Sequence, residues 1–139
     1  MKITTIGCVG CGNMGGAILA GLADSLHEGY AFCGYNRTPE RMKPLLEKGV
    51  AAKADARAVA EDSHIVILAV KPYQAAAVLA EMRPKLGTDK VLVSVAAGVS
   101  LKSLRDAAGD QCAVARCMPN TPALAGKGVF AFSFEEDAP

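Results

Sequence analysis

The chain has 139 residues and a formal net charge of +1, long enough for one domain to bury a core without disulfides or a structural metal. Its charge of either sign is too small to draw nucleic acid or a membrane surface at long range. Hydrophobic residues make up 51% of the chain, yet aromatics are 5% and Trp is absent, so the core must come from Ala, Val, Leu and Ile, an α/β composition.

The opening run at 3–9 reads as a strand. It follows no charged leader, and no apolar stretch reaches the roughly 18 residues of a membrane span, so a cytoplasmic protein with small-molecule partners is expected. Next come Gly10-Cys11-Gly12-Asn13-Met14-Gly15 and the Ala- and Leu-rich 13–26, which reads as a helix. A strand at 31–36 leads to a helix at 39–48, where Thr38 offers a capping hydroxyl before a first-turn proline. A strand at 50–53 precedes a helix at 55–61 capped by Asp55. The run 64–70 (Ile65-Val66-Ile67-Leu68-Ala69-Val70) is apolar without alternation, as is Val91-Leu92-Val93 in the strand 90–95, which implies burial on both faces. Helices at 73–84 and 100–108 follow these two strands, the second capped by Ser100, and 112–117 and 128–133 complete the strands. Gly49, Gly87 and Gly109 stand just past helix ends. The alternation predicts a doubly wound α/β fold: a mostly parallel sheet, helices on both faces, one domain over 1–139. The closing Glu135-Glu136-Asp137-Ala138-Pro139 reads as a cut edge.

Five cysteines, Cys8, Cys11, Cys33, Cys112 and Cys117, are an odd set lying in or beside apolar runs, the pattern of buried reduced thiols. Cys8 and Cys11 spell C-x-x-C, but no second pair of Cys or His stands at metal-ligand spacing.

The glycine string matters because of its setting. G-x-G-x-x-G after a strand and at the head of a helix is the Rossmann-type dinucleotide fingerprint. Gly10 allows the tight turn, Gly12 lets a diphosphate approach the backbone, and Gly15 permits close helix–strand packing. The free amides and positive dipole end of the helix face the phosphates. In NAD-specific forms a carboxylate about 20 residues on binds the ribose hydroxyls. Here the second strand ends Asn36-Arg37-Thr38, where the Arg37 guanidinium suits a 2′-phosphate and the neighbours add donors. The expected cofactor is therefore NADP, with NAD the alternative, and no metal is expected.

Open α/β sheets bind ligands at the carboxyl ends of their strands, which directs attention to three further segments. Ala69-Val70-Lys71-Pro72 ends the fourth strand, Ser94-Val95-Ala96-Ala97-Gly98 the fifth, and Met118-Pro119-Asn120-Thr121-Pro122 follows the sixth. His27 and His64 fall at a helix end and a strand start, the wrong end for acid–base work at such a site.

Taken in order, Val9-Gly10-Cys11-Gly12-Asn13-Met14, Asn36-Arg37-Thr38-Pro39-Glu40-Arg41, Ala69-Val70-Lys71-Pro72, Ser94-Val95-Ala96-Ala97-Gly98-Val99 and Arg116-Cys117-Met118-Pro119-Asn120-Thr121-Pro122 resemble pyrroline-5-carboxylate reductase over nearly the whole chain. The resemblance implies NAD(P)H-dependent reduction of the cyclic imine 1-pyrroline-5-carboxylate to L-proline. It implies cofactor contacts from residues 9–14, Arg37, 69–72 and 95–97, with Asn120 near the nicotinamide; no catalytic side chain is assigned. One departure is Ala56, where the family often has an asparagine near the adenosine ribose. A larger one is length: members are about twice as long, with a second, helical half that makes the dimer and most of the imine site. The chain is then either the N-terminal domain of a longer homo-oligomeric protein or a short paralogue, and by itself it is expected to bind cofactor with little turnover. Two other readings stand beside this one: another NADP-dependent imine or 3-hydroxyacid reductase of related fold, and a non-catalytic NADP(H)-binding module.

Overall fold

The computed structural model describes residues 3–26, 28–119 and 130–134. Seven strands form one sheet: β1 Thr4–Val9, β2 Tyr30–Tyr35, β3 Ala51–Ala52, β4 Ile65–Leu68, β5 Val91–Ser94, β6 Ala113–Pro119 and β7 Phe130–Phe134. Their order is β3-β2-β1-β4-β5-β6-β7. The first six run parallel, whereas β7 is antiparallel to β6. Parallel neighbours require crossover helices, and these are α1 Asn13–Ser25, α2 Lys43–Leu46, α3 Ala56–Asp62, α4 Ala75–Met82 and α5 Leu101–Ala108.

The two faces of the sheet carry separate cores. On one, Val59, Leu79, Met82 and Leu104 from α3, α4 and α5 pack on Val66, Leu68, Leu92 and Val114. On the other, Leu19 of α1 and Met42 and Leu45 around α2 pack on Ile6, Cys8 and Ile67. Adjacent strand residues point to opposite faces, so Val66 and Ile67 serve different cores. That is why the fourth strand is apolar without interruption.

Two helices expected to be continuous are segmented, and proline is the reason. Over 39–48, a 3-10 turn Pro39–Met42 leads into the short α2. Pro44 has no N–H for the Glu40 carbonyl, which accepts from Lys43 instead, the tighter i→i+3 pattern. Over 73–84, α4 is bracketed by 3-10 turns Pro72–Gln74 and Arg83–Lys85. The capping role expected of Thr38 is not found: its side chain makes no cap bond. Its own carbonyl has taken the Arg41 N–H at 3.0 Å, and Pro39 has none to offer. Gly87, unlike Gly109, does not adopt a positive φ.

The other two caps are present. Asp55 accepts from the Ala58 N–H at 2.8 Å and Ser100 from the Ser103 N–H at 3.1 Å. Asp55→Ala therefore removes the only side-chain partner shown for that first turn, and α3 packs directly into the first core. An expected cost of about 1 kcal/mol is measurable as a lower urea midpoint with an unchanged slope.

All five cysteines are free and buried. Among the described residues there is no cluster able to hold a metal ion, and no helix is long and apolar enough to cross a membrane.

Candidate functional site

The strand order reverses direction at β1. Val9 pairs with Tyr35 on one side and Leu68 on the other, so the turn leaving β1 lies between the carboxyl ends of β2 and β4. This is the crevice where open α/β sheets take ligands. The turn is pinned to β2 by the Gly10 and Cys11 amides, which donate to the Tyr35 carbonyl at 2.9 and 3.4 Å. Ala69 N–H bonds to the Val9 carbonyl at 2.9 Å on the other side.

The three glycines of the motif have three different physical reasons. Gly10 has φ +93°, and a Cβ there would sit 2.8 Å from the Ala69 carbonyl carbon and oxygen, so the turn and the end of β4 touch backbone to backbone. At Gly15 a Cβ would collide with the Gly10 carbonyl and press on Ala69 Cβ and Cys8 Sγ. At Gly12 it would meet no protein atom within 4 Å. The φ of Gly12 is −84° and its ψ −149°, so no left-handed conformation reserves the position for glycine. The fold's own packing gives no reason for glycine at position 12; a group approaching from the cleft does.

Gly12 is also the N-cap of α1. It brings no side-chain acceptor, and no acidic residue stands in the first turn. The leading amides and the positive end of the helix dipole are thus left to an anion. The cleft over this turn has a volume of about 860 Å³. Val9, Gly10, Gly12 and Met14 form its floor, Tyr35, Asn36, Arg37, Thr38 and Arg41 one flank, and Ala69, Val70, Lys71, Tyr73, Gln74, Ala77 and Val78 the other. Arg37 and Thr38 are exposed, and Asn36 is held by a bond from its Nδ2 to the Thr38 carbonyl at 3.0 Å.

The remaining expected site residues lie elsewhere. Cys11 points down, 1% exposed, its Sγ donating to the Cys8 carbonyl at 3.4 Å. Cys8 in turn donates to the Gly15 carbonyl at 3.8 Å. Its bond with Cys11 and its burial push the Cys8 thiol well above the usual range, so it stays protonated and serves as a donor tying α1 to β1. Gly15 is buried beneath the turn, and of Asn13 only the backbone, heading α1, is described. Pro72 is exposed and starts the 3-10 turn before α4, outside the cleft lining. Val95 and Ala96 are buried past β5 while Ala97 is exposed, and none of the three lines the cleft. Val95 continues the pairing of β5 with β4 through a 2.9 Å bond to the Leu68 carbonyl. Asn120 and His27 lie outside the described residues. Ala56 is buried in the first core. His64, at the amino end of β4, accepts the Thr5 N–H on Nδ1 at 3.0 Å, at the opposite end of the sheet from the cleft.

Tyr35, Arg41, Tyr73, Gln74, Ala77 and Val78 line the cleft without having been expected there. Arg41 carried a signal, standing four residues after Arg37 in the same segment. A smaller cleft of about 460 Å³, bounded by Arg83, Gly87, Gly109 and Asp110, lies at the other end of α4 and α5.

Comparison with known proteins gives three kinds of match. Residues 5–98 fit the family described as NADP oxidoreductase, coenzyme F420-dependent. A pyrroline-5-carboxylate reductase of Escherichia coli is 41% identical over 129 residues, covering 89% of this chain and 47% of that protein. Among solved structures, a pyrroline-5-carboxylate reductase from Coxiella burnetii superposes with a TM-score of 0.90 at 28% identity, covering 99% of this chain and 52% of that one. The Plasmodium falciparum pyrroline carboxylate reductase with NADP bound gives 0.84 at 25% identity, covering 100% and 51%. The chain thus spans about half the length of the relatives it matches.

Proposed function

Because the chain belongs to the family of NADP oxidoreductases described as coenzyme F420-dependent, we propose that residues 1–139 form one NADP-binding domain, the cofactor half of a pyrroline-5-carboxylate reductase. The observation that carries the reading is the open side of Gly12 over an uncapped helix start. The names of the relatives and the NADP in the Plasmodium falciparum structure support it. We further infer that the whole protein is a cytoplasmic homo-oligomer acting on 1-pyrroline-5-carboxylate; five buried free thiols suit a reducing compartment.

A reduced nicotinamide cofactor supplies a hydride, and the electrophile is the protonated imine carbon of the substrate. The chain's own part is to bind and orient. The first-turn amides of α1 would receive the diphosphate as charge-assisted donors. Arg37, with Asn36 and Thr38 beside it, would receive the 2′-phosphate at the end of β2. The close backbone contact of Gly10 with Ala69 keeps the two strand ends in fixed relation, which is the positioning that hydride transfer depends on.

Calorimetric titration of the chain with NADPH and NADH tests this. NADPH is expected to bind more tightly, and Arg37→Gln to weaken NADPH about 10- to 100-fold, the worth of one or two charged hydrogen bonds, with NADH affinity unchanged. Equal affinities in the parent chain, or tighter NADH, would overturn the assignment of Arg37.

A further inference from the structure

We propose that Tyr73 is the stacking platform for the adenine base of the dinucleotide, an inference that rests on the cofactor reading above. Tyr73 is 83% exposed, the most exposed of the large apolar side chains among the described residues. A lone exposed tyrosine needs no explanation, but this one is not alone. It lines the cleft beside Val70, Ala77 and Val78, with Lys71 and Gln74 on the same flank, so an aromatic ring and apolar side chains stand across from Asn36, Arg37 and Arg41.

The backbone beneath the ring is fixed. Pro72 restricts the residue before it, the Lys71 N–H donates to Gln74 Oε1 at 3.1 Å, and the Gln74 N–H donates to the Lys71 carbonyl at 2.9 Å. Residues 71–74 therefore form a closed 3-10 turn with Tyr73 at its outer corner. A preorganised aromatic surface loses little side-chain freedom when a ring is laid on it.

Connectivity within the ligand selects which base meets this face. The 2′-phosphate and the adenine are carried by the same ribose. With that phosphate at Arg37 and the diphosphate at Gly12, the adenine occupies the space between the β2 end and the α4 flank. The nicotinamide, joined through the other phosphate, is directed away from Arg37. Purine on aromatic stacking is sequence-tolerant and contributes substantially to affinity, so Tyr73 sets affinity for the adenosine half and leaves discrimination between NADP and NAD to Arg37.

The test separates the two halves of the ligand. The full chain and its Tyr73→Ala and Tyr73→Phe variants are titrated with NADPH, adenosine 2′,5′-bisphosphate and nicotinamide mononucleotide. With no Trp and three Tyr in the chain, tyrosine emission reports directly. Tyr73→Ala is expected to weaken NADPH and the bisphosphate about tenfold and leave the mononucleotide unchanged, while Tyr73→Phe keeps parental affinity. Quenching of tyrosine emission by the bisphosphate is expected to shrink in both variants, since the emitting ring facing the base is gone. Parental affinity in Tyr73→Ala, or an equal loss for the mononucleotide, overturns the stacking role while leaving the cofactor reading intact. Failure of the parent chain to bind NADPH overturns both.

Discussion

Gly12→Val is expected to fold as the parent does and to bind NADPH at least about 100-fold more weakly, the equivalent of losing two charge-assisted amide–phosphate bonds. The protein itself has room for the side chain, since a Cβ at this position meets nothing within 4 Å and the backbone φ is −84°. The cost to the helix start is at most about 1 kcal/mol, because Val is a poor N-cap. On the ligand side, the two new methyl groups occupy the approach to the leading amides of α1. Calorimetry for affinity and circular dichroism for the melting temperature together decide the matter. A folded variant with parental affinity would mean that the diphosphate does not sit on this turn.

The neighbouring glycine is expected to behave in the opposite way. Gly10→Ala places a Cβ 2.8 Å from the Ala69 carbonyl carbon and oxygen and 2.9 Å from the Val70 nitrogen, on a residue whose φ is +93°. All three atoms are backbone, so no flexible side chain can yield. The conformational strain and the overlap together are expected to cost about 3 kcal/mol, which in a domain of this size lowers the melting temperature by roughly 10 °C. The loss should be present without any ligand. A melting temperature equal to the parent's would show that the turn relaxes away from β4 and that the contact between the strand ends is not tight.

The contrast between these two positions shows what could be read from residues alone. G-x-G-x-x-G announced a turn and a helix start, both of which are present, and strands such as β4 were visible as unbroken apolar runs because a sheet covered on both faces demands them. The pattern could not say which way each side chain faces. Cys11 and Gly15 share the motif with Gly12 but serve the packing beneath it. Pro72, Val95, Ala96 and Ala97 stand at strand ends, as expected of site residues, yet not on the walls of this cleft. Among the residues missed, Tyr73 and Gln74 belong to the 3-10 turn after β4, and Ala77 and Val78 to α4. They reach the cleft only because the sheet order sets β4 beside β1, a pairing between segments more than fifty residues apart. The breaks at Pro44 and Pro84 were legible in hindsight from the missing N–H of proline. The direction of β7 was not, since an apolar run is the same read from either end.

The flank of the sheet beyond β2 has a bearing on how the chain behaves in company. Its last member, β3, is the dipeptide Ala51–Ala52, paired with Cys33 and Gly34, and Lys53 follows it at once, its ammonium joined to the Asp62 carboxylate at 2.6 Å. Two residues offer almost no ladder for a stray strand to copy, and a charged neighbour discourages the attempt. On that side the molecule is blunted against polymerising through its own hydrogen bonds, a safeguard that does not depend on any ligand being present.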